Sequence, residues 1–185
     1  MSVRSHLESQ RATYAQLRTT NTVNIMQVEK HLGDVNLVPY TLECLDKSWV
    51  WLNDPEIREL TMTSHFTKEA QREFFDSLPT RIGYKVWGVS LEGYGVIGAA
   101  GLKDHRGTMA EYWGYIGERQ FWGQGLGRKL IAAVERESRK LGFSALDLKV
   151  SASNVRAIAL YIKAGFVMDH HKSDEFVVRM VKQDI

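Results

Sequence analysis

The sequence predicts a mixed α/β domain, and three observations carry that reading. Strand-like and helix-like stretches interleave along the chain, two apolar runs flank a glycine-containing turn, and a glycine loop opens directly into an amphipathic helix. At 185 residues one domain with a sizeable core is the expectation.

The elements follow in order. "DVNLVPYT" reads as a first strand, with Pro39 marking a sheet edge or a strand end. "TLECLDKSWVWLNDPEIREL" carries Leu42, Leu45, Trp49 and Leu52 at helical spacing. "NDP" then breaks it, and a second short helix starts at Pro55. "TKEAQREFFDSL" is a helix that Thr67 caps. "KVWGVSLEGYGVIGAAGLKD" is a hairpin, "MAEYWGYIGE" a further strand and "RQFWGQGLG" a loop. From there Leu126, Leu130, Ile131 and Val134 share one helix face up to a stop at Gly142. "SALDLKVS" alternates as a strand, and "NVRAIALYIKAG" is a helix capped by Asn154 and ended by Gly165. "FVMDHH" and "EFVVRMV" close the chain as a hairpin. Residues 1–33 are polar and nearly free of aromatics; they form an expected extension, loosely ordered or weakly helical near Leu7, Tyr14 and Leu17, ahead of a domain over 34–185.

Composition narrows the function classes. Hydrophobic residues make up 44% and charged ones 25%, with a net charge of +2, which is too mild to argue for nucleic acid or a membrane surface. No apolar run suggests a membrane span or a signal peptide, so a cytoplasmic protein is expected. Cys44 is the only cysteine, which excludes internal disulfides and cysteine-rich metal sites; its expected part is a buried small hydrophobe. No metal site is expected.

"FWGQGLGRKLI" puts three glycines into the five positions from Gly123 to Gly127, just where a helix begins. Backbone N–H groups at a helix start lack intrahelical partners and sit at the positive end of the helix dipole. Glycines let an anion approach those groups, and Arg128 and Lys129 add charge, so the loop has the outline of a phosphate cradle. A ligand-free turn is the alternative reading. The triphosphate loop fails for want of a lysine followed by a hydroxyl residue. The dinucleotide fingerprint fails because Arg128 stands where its third glycine would be.

With "NVRAIALYIKAGF" downstream, the chain resembles the GNAT N-acetyltransferases. Gly125 and Gly127 fall on the small positions of the pyrophosphate signature [R/Q]-x-x-G-x-[G/A], with Trp122 in place of its first residue. The second stretch resembles N-x-x-A-x-x-L-Y-x-K-x-G-F at every fixed place. "WGxG" and "WLNDPEIR" further resemble the ribosomal-protein-alanine and amino-sugar branches. The resemblance, which runs from about Val35 to Val181, implies a central sheet whose middle strands, "EYWGYIGE" and "ALDLKVS", splay apart to admit the pantetheine of acetyl-CoA.

What the resemblance implies about residues is specific. Tyr161 is the expected general acid toward the sulfur; an aromatic on a helix's core face is the plainer account. Glu111 is a candidate base, with Glu118 behind it and a water chain as the alternative; strand alternation turns Glu111 away unless a bulge intervenes, and Tyr112 holds the place where relatives carry a carboxylate. Acetyl-CoA is expected to touch Ile116 and Gly117 at the strand end and Trp122, Gly123, Gln124, Gly125, Leu126, Gly127 and Arg128 in the loop. Asn154, Ala157 and Tyr161 complete that set. Trp49, Trp51, Asn53, Glu56 and His65 are expected to line the acceptor side, where the helix-core role of Trp49 and the capping chemistry of "NDP" are the plainer accounts. The expected function is direct acetyl transfer to a primary amine, the acceptor being an amino sugar, nucleotide-linked sugars included. A peptide or ribosomal-protein N-terminus, a small amine, and a non-catalytic acyl-CoA sensor remain as alternatives. A monomer or homodimer is expected.

Overall fold

The computed structural model describes residues 32–185, and Gly33–Ile185 form one unit. The expected N-terminal extension therefore lies, but for its last two positions, outside the described residues. Seven strands build one sheet: β1 (Val35–Pro39), β2 (Lys85–Leu91), β3 (Gly95–Arg106), β4 (Met109–Ile116), β5 (Ala145–Ser151), β6 (Val167–Met168) and β7 (Val177–Lys182). Their order across the sheet is β1-β2-β3-β4-β5-β7-β6. Neighbours are antiparallel except β4 and β5, which run parallel. Pro39 ends a strand at the sheet edge, where a missing N–H costs nothing.

The helices are α1 (Leu42–Asn53), α2 (Pro55–Leu60), α3 (Lys68–Ser77), α4 (Leu126–Lys140) and α5 (Val155–Lys163). Each break has a chemical cause. The Asp54 carboxylate accepts from the amides of Glu56 and Ile57 and starts α2 with Pro55 behind it. Thr67 caps α3 through the amide of Ala70, and Asn154 caps α5 through that of Ala157 at 3.1 Å. Gly142 and Gly165 follow the ends of α4 and α5. No described helix is long and apolar enough to cross a membrane.

Helix α1 corrects one expectation. Its buried face is Cys44, Leu45, Ser48 and Trp51, whereas Leu42 is half exposed and Trp49 only partly covered. The stripe is rotated because a serine belongs to the core. Ser48 Oγ accepts from the Tyr40 hydroxyl at 2.9 Å and the Tyr115 hydroxyl at 3.0 Å, which satisfies three polar groups at once. Sequence periodicity counts serine as polar and so cannot see this.

The parallel pair decides the site. β4 and β5 pair only from Met109↔Ala145 to Tyr112↔Leu148. Beyond that point β4 continues to Ile116 alongside β3, and β5 continues to Ser151 alongside β7. The sheet thus forks, held whole at its outer strands and open in the middle. Tyr112 turns toward Tyr161 on α5, while Tyr115 turns toward Ser48 and Trp51 on α1, as alternation along a strand requires. The two faces of the sheet meet in the fork.

Candidate active site

A cleft of about 930 Å³ runs through the fork. One side is built by α4 and α5. Gly125, the residue before α4, has φ +78°, a left-handed conformation that an L side chain adopts only with strain, and no side chain caps the helix there. The first N–H groups of α4 are therefore open to a ligand, and Arg128 stands beside them in the cleft wall. Gly127 packs against Leu160, where a Cβ would lie 2.6 Å from Cδ2, so the starts of α4 and α5 sit close together.

Trp122 ties this cradle to the sheet. Its Nε1 donates to the carbonyl of Ile116 at 2.7 Å, and the guanidinium groups of Arg119 and Arg156 each lie 5.3 Å from its ring. Arg119 in turn pairs with Asp54 and Glu56, joining the cradle to α2. Tyr161 lies deeper, edge-on to Tyr112 at 6.3 Å and to Phe166 at 5.7 Å. Burial pushes its phenol up to about 12, so it keeps its proton at neutral pH.

The opposite side is aromatic and carries two cations. Tyr40, Phe66, Phe74, Tyr84 and Trp113 line it, with Lys103 and Lys149 among them. Phe74 meets Tyr84 edge-on at 5.8 Å, and Tyr84 lies 6.5 Å from Trp113. Glu111 is buried behind these residues, 3.2 Å from the Nζ atoms of both lysines. Burial opposes its ionisation, but the two ammonium groups outweigh burial and hold the carboxyl below its usual range.

The structure brings most of the expected cosubstrate residues to one wall: Ile116, Trp122, Gly123, Gly125, Leu126, Gly127, Arg128, Asn154, Ala157 and Tyr161 line the cleft. Gln124 turns back to the Gln120 carbonyl, and the Gly117 amide donates to Ile97 under the Trp51 ring. Glu111 faces the same side as Lys103, Trp113 and Lys149 but does not line the cleft, because it is buried beneath the two lysines, which engage both of its oxygens. Of the expected acceptor-side residues, Glu56 lines the cleft. Trp51 is core, edge-on to Tyr115; Trp49 packs on Phe66; Asn53 donates to the Trp49 carbonyl; and His65 is exposed outside the cleft lining. Lys103, Lys149, Tyr84 and Trp113 carry no motif, and only the three-dimensional fork shows that they converge.

A forked parallel pair with an open helix start on one flank and a protonated phenol within offers an anion site and a proton donor in one cleft. The acetyltransferase (GNAT) family model matches residues 48–166, and the chain belongs to that family. It is an N-acetyltransferase with acetyl-CoA as cosubstrate. No curated protein matches the sequence. Among solved structures, it is similar to a spermidine N-acetyltransferase from Vibrio cholerae in complex with CoA and spermine, with a TM-score of 0.74 and 21% identity over 82% of this chain and 96% of that one. It is also similar to the aminoglycoside acetyltransferase AAC(6')-Ib in complex with coenzyme A, with a TM-score of 0.69 and 22% identity over 81% and 95%. A domain from Methanocaldococcus jannaschii matches with a TM-score of 0.71 and 19% identity over 81% and 98%. At these identities the likeness is one of fold.

Proposed function

We propose that this enzyme acetylates the primary amine of an amino sugar, nucleotide-linked sugars included, by direct attack. The observation that carries the reading is the aromatic side of the fork, where Phe74, Tyr84 and Trp113 together line the cleft and give a ring an apolar surface to pack on. The glycine loop, Arg128 and the Asn154 end of α5 hold the cosubstrate, which supplies an activated acetyl group as a thioester. The chain itself positions two reactants and manages two protons. A nitrogen–carbon bond forms as the carbon–sulfur bond breaks. The ammonium proton passes to water in the cleft, and Tyr161 Oη is the proton source for the sulfur before it is reprotonated from solvent. Glu111 is too firmly held by Lys103 and Lys149 to serve as the base.

Release of free thiol from acetyl-CoA, followed across amino sugars, amino-terminal peptides and polyamines, tests this reading. Turnover of amino sugars well above the other two classes is expected. Faster turnover of polyamines or peptides overturns it. Coenzyme A binding without turnover of any amine would leave a sensor in its place.

A further inference from the structure

The acceptor side carries more positive charge than an amine-binding wall should. Among the described residues lining the cleft, Glu56 is the one acidic side chain, and its carboxylate is paired with Arg119. Lys103 and Lys149 both line the same cleft, each about one-third exposed, and share one buried carboxylate, that of Glu111. One negative charge between two ammonium groups leaves a surplus of one positive charge. The neighbouring Asp147 does not cancel it, since Arg106 holds that carboxylate at 2.6 Å, and beside Tyr84 the negative charge of Asp104 is matched by the positive charge of Arg81.

The placement is built rather than incidental. Lys103 pairs across the ladder with Glu111, and Glu111 pairs on its other side with Asp147, two residues before Lys149 on the same face of β5. Lys149 is the first β5 residue past the paired stretch, so its side chain stands where the fork opens. Glu111, at 4% exposure, keeps two long flexible side chains at the apex. Ordering them in advance lowers the entropic cost of gripping a ligand. A polycation entering here would meet repulsion, and an anion would meet two charge-assisted donors.

We propose that Lys103 and Lys149, held side by side by the buried Glu111 carboxylate, bind an anionic group of the acceptor, so that the amine acetylated here belongs to a negatively charged molecule. This rests on the reading of the aromatic flank as the acceptor side. The shared chemistry is a phosphate or a carboxylate carried on the same molecule as the amine. Spermidine and the aminoglycosides are polycations, and a wall of this charge excludes them.

Matched acceptors test it: 2-amino-2-deoxyglucose, its 6-phosphate and its 6-carboxylate, a free 4-amino sugar against its nucleoside diphosphate ester, a neutral against a glutamate-containing peptide, and spermidine. The anionic member of a pair is expected to have about tenfold or greater higher kcat/KM, with the difference shrinking as salt is raised. The phosphate and carboxylate arms tell the two sources apart. Lys103→Met and Lys149→Met are each expected to raise KM for the anionic acceptor about tenfold while KM for acetyl-CoA holds, and Lys149→Arg is expected to keep the preference. Should loss of a lysine unfold the protein around Glu111, the double variant Lys149→Met with Glu111→Gln removes one charge of each sign. Glu111→Gln alone keeps both ammonium groups but unties them, and is expected to retain the anionic preference while KM for the anionic acceptor rises severalfold and KM for acetyl-CoA holds, a split that a purely structural role would not produce.

Equal or faster turnover of neutral sugars overturns this inference and leaves the amino-sugar reading standing. Preference for the acidic peptide with every sugar inert does the reverse. Turnover of spermidine ahead of all anionic amines, or methionine variants with unchanged preference, also overturns it. Inertness of every acceptor overturns both.

Discussion

Trp122 Nε1 donates to the Ile116 carbonyl at 2.7 Å, which pins the glycine loop to the open end of β4. The bond satisfies a strand-end carbonyl, and two guanidinium groups each lie 5.3 Å from the ring. Tryptophan thereby stands where the general pyrophosphate signature has arginine or glutamine, with its charge supplied from the flanks. Trp122→Phe keeps a ring and loses the donor. It is expected to raise KM for acetyl-CoA about fivefold, the worth of one hydrogen bond of about 1 kcal/mol, with kcat little changed.

Tyr161→Phe separates binding from proton transfer. The ring contacts with Tyr112 and Phe166 survive, so the melting shift with acetyl-CoA should persist. The rate should fall about 100-fold, the low end of what a positioned acid contributes. Wild-type activity should rise with pH as the acceptor amine loses its proton, while the raised pKa of about 12 keeps Tyr161 protonated throughout. It should show no decline from Tyr161 ionisation between about pH 7 and 10. Wild-type turnover in the variant would remove Tyr161 from the reaction.

Glu111→Gln discriminates between a base and a tether. Retention of kcat within about threefold is expected, where loss of a general base would cost about 100-fold or more. The stability effect has a definite direction. The folded carboxyl titrates below its ordinary 4.5, so its ionised form stabilises the fold above that pH, and the stabilisation is lost as pH falls through the folded value. Acid melts should therefore show a component in the wild type that the variant lacks. At pH 7 the variant should be less stable by about 1–3 kcal/mol.

Two alanine substitutions in the loop should differ in kind. At Gly125 an added Cβ meets open space but must hold φ near +78°, which costs about 1–2 kcal/mol and disturbs the cradle itself. At Gly127 no unusual φ is required, and the added atom meets the flexible end of Leu160. Isothermal titration with coenzyme A should show the larger loss of affinity for Gly125→Ala.

Much of this was legible in the sequence because local chemistry determines it. The glycine loop opens α4, Asn154 caps α5, the apolar runs around "EGYG" form the β2–β3 hairpin, and Gly142 and Gly165 end their helices. What stayed hidden depends on partners distant in the chain. Ser48 is core because Tyr40 and Tyr115 meet over it, and Trp51 is core because it packs on Gly117. Lys103 and Lys149 look like ordinary strand lysines until Glu111 gathers them. The aromatic wall of the cleft draws on β3, β4, β5, α3 and the residue before β2, with no motif to announce it, and Tyr84 and Trp113 line it where Trp49 and Trp51 do not.

The brief parallel ladder from Met109 to Tyr112 is the seam between two halves of the molecule. A carrier threaded into the gap would act as the absent rungs, and at one hundred times its dissociation constant would add about 2.7 kcal/mol against unfolding. Stability against unfolding is then expected to follow the concentration of the carrier, which a thermal melt with and without coenzyme A would read.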